Sequence, residues 1–104
     1  MGTYALIYIG GSEPASEEEG KAVMDAWIAW FGTLGDAVID GGNPFGPAVT
    51  VAPDGAVAEG GASRAGGYSI LRADDLAAAT AMAQGCPHLA AGGSVEVYET
   101  FEVM

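Results

Sequence analysis

The sequence predicts an α+β domain whose elements run β, α, β, β, α, β, an antiparallel sheet with both helices on one face. Three observations predict it: an opening run rich in aromatic and β-branched residues, two stretches that begin on helix-capping residues, and a closing run in which apolar and polar side chains alternate.

Thr3 to Ile9 (TYALIYI) has strand composition and stops at Gly10-Gly11. Both faces of this strand are apolar, with Ala5, Ile7 and Ile9 on one and Tyr4, Leu6 and Tyr8 on the other. Ser16 and Glu19 form a capping box, while Glu17 and Glu18 face the positive end of the helix it opens. Val23, Trp27, Trp30 or Phe31, and Leu34 recur at helical spacing, so a helix is expected from about Glu17 to Leu34, with Lys21 and Asp25 toward solvent. Aromatics at this spacing serve a core more often than a ligand pocket.

Gly35 caps that helix, Ala37-Val38-Ile39-Asp40 is extended, and Gly41-Gly42-Asn43-Pro44-Phe45-Gly46-Pro47 breaks any regular element. This loop reads as a long turn, with Asn43 and Asp40 the polar candidates if it binds a ligand. Ala48 to Ala52 is a short strand, Pro53-Asp54-Gly55 a turn, and Val57-Ala58-Glu59 further extended structure. After a surface loop over 60–66, Gly67 to Arg72 resumes a strand. Asp74 is the natural N-cap of an alanine-rich second helix, which Gly85 and Pro87 end. The closing strand, Ser94 to about Val103, places Val95, Val97, Phe101 and Val103 on one face and Ser94, Glu96, Tyr98, Thr100 and Glu102 on the other; Glu99 falls on the apolar side.

This order is the ferredoxin-like one, which leaves one face of the sheet uncovered. Tyr4, Leu6 and Tyr8 are expected to put large apolar surface on that face, so the expectation is a sheet-to-sheet homodimer with a cavity between the sheets.

A chain of 104 residues, half of them hydrophobic and 16% charged, supports one globular core, so residues 1–104 are read as a single domain. It is an acidic protein: fourteen Asp and Glu face only Lys21, Arg64 and Arg72, and the net charge of −11 disfavours nucleic acid and anionic membrane surfaces as partners. One cysteine makes no internal disulfide, the N-terminus lacks the basic and long apolar segments of a signal peptide, and no apolar run nears the ~20 residues of a membrane helix. A soluble, cytoplasmic protein is the expectation.

The opening Tyr4-Ala5-Leu6-Ile7-Tyr8, then Gly41-Gly42-Asn43-Pro44, then Gly67-Tyr68-Ser69-Ile70 with Ala73-Asp74-Asp75-Leu76, and finally Cys86-Pro87-His88-Leu89 with Gly92-Gly93-Ser94-Val95-Glu96-Val97, together resemble the YCII-related family. The resemblance spans nearly the whole chain and rests on the order and spacing of these pieces. It implies a dimeric α+β protein of the dimeric α/β-barrel superfamily, related to muconolactone isomerase. Some members are lyases that remove chloride using a histidine and aspartate pair. This chain departs from them in having no histidine among its first 87 residues, and from another branch in having Glu59-Gly60-Gly61-Ala62 where an Asp-Gly-Pro-Phe signature would fall.

His88, whose side-chain type titrates near neutrality, is the candidate catalytic acid or base, with Glu96, Glu99 and Asp40 as candidate partners. Tyr8, Asn43, Glu96 and Tyr98 are the candidate ligand-binding residues. Cys86 reads as a small buried hydrophobe, and with His88 alone beside it no zinc site is expected; no cofactor is implied. Three functions fit: a dimer binding a small organic molecule in its sheet-face cavity, an isomerase or lyase acting on a small organic acid through His88, and a non-catalytic protein-interaction module.

Overall fold

The computed structural model describes residues 1–103. Strand β1 (Gly2–Ile9) leads to helix α1 (Glu17–Leu34), a 3-10 turn (Gly35–Ala37) and the short strand β2 (Val38–Asp40). A hairpin of β3 (Val49–Val51) and β4 (Val57–Glu59) precedes β5 (Ala65–Ala73), helix α2 (Leu76–Ala83), a second 3-10 turn (Pro87–Leu89) and β6 (Ser94–Glu99). The main sheet is antiparallel in the order β2-β5-β1-β6. Both helices pack on one of its faces, a topology compatible with the ferredoxin-like arrangement expected from the sequence.

Helix α1 starts as the capping box dictates: the Ser16 hydroxyl accepts from the Glu19 N–H, and the Glu19 carboxylate accepts from the Ala15 N–H. Its inward stripe is Trp27, Trp30, Phe31 and Leu34, with Trp30 buried and its indole N–H donating to the Met82 carbonyl at 3.1 Å. Helix α2 is capped by Asp75, whose carboxylate accepts from the Ala78 N–H, and not by Asp74. It ends at Ala83 with Gln84 as C-cap, so the Gly85 stop arrives one residue after the cap.

Three expectations are corrected. Ala48 to Ala52 supplies no strand to the main sheet: Val49–Val51 pairs only with β4, across the Pro53–Gly55 turn, and Val38–Asp40 takes the second-strand place. The chain leaves α1 already beside β5, so the first extended residues after the helix pair there through Val38 and Leu71. Secondly, Tyr4, Leu6 and Tyr8 are on the helix-covered face, 1%, 0% and 7% exposed, where they form the core with Leu71, Ala79, Ala83 and Cys86. The open face carries the other set, Ala5, Ile7 and Ile9, facing Ile70 and Tyr68 across one ladder and Tyr98 and Glu96 across the other. Large aromatics belong under helices, where their area is removed from water within one chain. Thirdly, β6 stops at Glu99, because its partner β1 runs out: Thr100 makes the last bond, to the Thr3 carbonyl, and Phe101 and Val103 stand in solvent.

The molecule is a slab of 44 × 41 × 18 Å, one sheet and one helix layer thick. Its radius of gyration, 15.1 Å, exceeds the roughly 13 Å of a compact domain of this length. The β3–β4 hairpin accounts for the excess, standing off the body with Val49, Val51 and Val57 all more than 60% exposed. No helix among the described residues is long and apolar enough to cross a membrane.

Candidate functional site

The C-terminal end of β1 and the first half of α1 do not close on each other. Between them lies a cavity of about 560 Å³, bounded by Tyr8, Gly10, Pro14, Val23, Trp27 and Phe31, by the Gly41–Pro44 loop, by Gly66 to Tyr68 and by His88. A second cavity of about 430 Å³ lies on the other side of His88, between Ser12–Pro14 and Pro87–Ala91, and shares Trp27, Val23 and Pro14 with the first. The larger one is walled by aromatic rings locked together: Tyr8 meets Trp27 edge-on at 5.0 Å, Trp27 lies 5.8 Å from Phe31, and His88 lies 5.6 Å from Tyr8. Trp27 and Phe31 remain half-buried because the cavity takes the place of sheet contacts that would otherwise cover them.

His88 is held by backbone on three sides. Pro87 starts the 3-10 turn that carries it, and its Nε2 donates to the Ile9 carbonyl at 3.0 Å. A carbonyl only accepts, so Nε2 carries a proton here, and in the neutral ring the lone pair is therefore on Nδ1. Among the described residues no buried polar side-chain atom lacks a partner, and Nδ1 has none in the protein, so Nδ1 reaches solvent. Two glycines make room for the ring. A Cβ on Gly11 would lie 2.7 Å from Cε1, and one on Gly93 would lie equally close to that atom and closer still to Nε2.

Tyr8 faces the cavity with its ring and not with its hydroxyl. That O–H donates to the Ser69 hydroxyl at 2.6 Å, which in turn donates to the Gly41 carbonyl at 2.7 Å. Burial pushes the Tyr8 phenol up to about 12, partly offset by the Ser69 bond, so it stays protonated at neutral pH. The relay ties β1 through β5 to the Gly41–Pro44 loop. The same loop is fastened along the strand edge, with Phe45 N–H donating to the Gly66 carbonyl at 2.9 Å and Pro44 bridging to Gly67.

The structure thus brings Tyr8, Asn43 and His88 to one cavity on the helix side of the sheet and leaves Glu96 and Tyr98 on its opposite, open face. There Tyr98 O–H donates to Glu96 Oε1 at 2.7 Å, a bond that pushes the phenol up from its ordinary value. The division has one cause: strand side chains alternate, and Tyr8 pairs with Val95, not with Glu96 or Tyr98. None of the carboxylates suggested as partners for His88 pairs with it. Asp40 accepts from the Gly42 N–H and the Tyr68 hydroxyl, and Glu99 accepts from Tyr4 at 2.9 Å. Cys86 is 3% exposed and burial pushes its thiol up, which keeps it a packing residue. Among the described residues no cluster of three or more metal-ligating side chains is assembled.

Trp27 and Phe31, whose spacing favours a core over a pocket, are wall to the cavity and flank to the core at once. The Ser69 relay and the glycine seat of His88 are not legible in the sequence. The doublets Gly10-Gly11 and Gly92-Gly93 were visible, but nothing in them says which side chain fills the space they leave. A family model, the YCII-related domain, matches residues 4–104. No curated protein matches the chain.

Proposed function

This chain belongs to the YCII-related domain family, and from that premise we propose that it binds a small, flat organic molecule in the cavity under α1 and works as a homodimer. The observation that carries the reading is the cavity itself, about 560 Å³ walled by Tyr8, Trp27 and Phe31 with His88 at one end. Apolar walls with one or two oriented polar groups are what a small-molecule site requires. The test is titration with the uncharged fluorophore N-phenyl-1-naphthylamine, exciting the tryptophans and reading energy transfer. Saturable binding at one probe per chain, lost in Trp27→Ala, is expected; no saturation up to the probe's solubility limit sinks the reading.

A second reading is favoured by the His88 tautomer. A fixed Nε2–H and an accessible Nδ1 lone pair suit a general base, and an isomerase or lyase acting on a small organic acid would use it so. His88→Ala separates the two: a binder keeps the probe with at most a few-fold loss, and an enzyme loses turnover while keeping its fold.

The homodimer rests on the open face of the sheet. Ala5, Ile7, Ile9, Tyr68, Ile70 and Tyr98 give that face an apolar centre, with Arg72, Glu96 and, beside Ile70 and Tyr68, Asp40 as its charges, in a chain of net charge −11. Two acidic copies meet with least repulsion there, and a two-fold axis makes the patch self-complementary. Sedimentation equilibrium at micromolar concentration is expected to return a dimer mass for the natural chain and a monomer mass for Ile7→Glu, which would bury two carboxylates in the interface. A monomer mass for the natural chain rejects the dimer.

A further inference from the structure

Resting on the cavity reading above, we propose that Arg64 anchors the carboxylate of the ligand, so that the cavity selects flat apolar acids over their neutral counterparts. The chain has three basic residues other than its histidine, and two of them are engaged or placed elsewhere. Lys21 pairs with Asp25 at 3.5 Å on the solvent side of α1, and Arg72 lies on β5 opposite Thr3, on the open-face register. Arg64 is not itself a wall residue, but its side chain lies against the wall at the His88 end. Its Nη2 is 3.8 Å from where a Cβ on the wall residue Gly10 would be, and the next residue, Gly11, abuts the His88 ring.

Arg64 is also held where it is. It is the only non-glycine residue among those described with a left-handed backbone, φ 59°, a conformation that an ordinary side chain adopts at a cost of order 1–3 kcal/mol. Its carbonyl accepts from the Gly10 N–H at 3.3 Å and its own N–H donates to Gly61 at 3.1 Å, so the loop is tied to the end of β1. No carboxylate among the described residues forms an ion pair with it. Asp40 is engaged by Gly42 N–H and by the open-face Tyr68, next to the Gly41–Pro44 loop, while Glu13 and Glu19 line the neighbouring cavity beside His88. The cavity is therefore aromatic in the middle, bounded by the Gly41–Pro44 loop at one end and flanked at the other by a guanidinium that pairs with no carboxylate among the described residues. One planar guanidinium matches one planar carboxylate; a dianionic phosphate would call for further cations, and none is at hand.

The experiment is a pair of calorimetric titrations, 2-naphthoate and 2-naphthamide, at low salt. Natural protein is expected to bind both, the acid about fivefold more tightly, the size a partly exposed charge pair supports. Arg64→Gln should abolish the preference by weakening the acid alone, Arg64→Lys should retain part of it, and added sodium chloride should erode it. Equal affinity for acid and amide, or a preference that survives Arg64→Gln, overturns the Arg64 assignment and leaves the cavity standing. Binding of neither ligand at millimolar concentration, with saturation by N-phenyl-1-naphthylamine also absent, overturns the cavity and the assignment with it. Arg64 is exposed, so unchanged thermal midpoints are expected for both variants, and a midpoint that falls by several degrees would make Arg64 a structural residue and reject its role as an anchor.

Discussion

Gly42→Ala is expected to lower the unfolding free energy by about 3 kcal/mol or more, the combined size of backbone strain and forced overpacking. Gly42 holds φ at +78°, and a Cβ there would lie 2.6 Å from the carbonyl carbon of Tyr68 and closer still to its oxygen. The obstacle is backbone of β5, a central strand, and cannot swing aside as a side chain could. Relief requires the loop to leave the strand, which breaks the Ser69 hydroxyl's bond to Gly41 and orphans the buried Tyr8–Ser69 pair behind it. Gly32→Ala is the control: it lies inside α1 with open space around its Cβ position, and alanine there should stabilise by roughly 0.5–1 kcal/mol. Urea denaturation of the two variants checks both, and a loss below about 1 kcal/mol for Gly42→Ala would mean that the loop is not seated on β5 as described.

What the sequence disclosed follows from the range over which each signal acts. The limits of α1 were legible because the capping box and the aromatic stripe are local, and both are where spacing put them. The alternation of β1 was equally legible, yet which side of it met the helices was not: both sides are apolar, so the pattern of Ala5-Ile7-Ile9 against Tyr4-Leu6-Tyr8 contains no sign. The decision is made by partners far along the chain, Trp30 and Ala79 among them, which need the larger rings beneath them. Val38–Asp40 outcompeted Ala48–Ala52 for the sheet on connection length, a property of topology and not of strand propensity. For the site, the residue types that carry chemistry were visible and their convergence was not. His88 and Tyr8 are 80 positions apart and share a cavity, whereas Tyr8 and Tyr98, both on paired strands, are on opposite faces.

Gly93→Ala is expected to displace the His88 imidazole and, with it, whatever the cavity does. Each of the nearest atoms to a Cβ at Gly93 belongs to that ring, with Cε1 at 2.7 Å and Nε2 and Cδ2 nearer. Because Gly93 is not in the left-handed region, alanine itself is acceptable to the backbone; the clash is with one side chain. The imidazole must then rotate out, giving up its bond to Ile9 and exposing the end of β1, at about 1–3 kcal/mol. A double-mutant cycle isolates this cause. In a His88→Ala background the same Gly93→Ala change meets no ring and should cost under about 0.5 kcal/mol, leaving a coupling of 1 kcal/mol or more between the two positions. Equal costs in the two backgrounds would show that β6 yields instead of the ring. If the coupling is found, the glycine doublet is a seat for the imidazole, and the accessible Nδ1 is a consequence of two missing side chains as much as of one histidine.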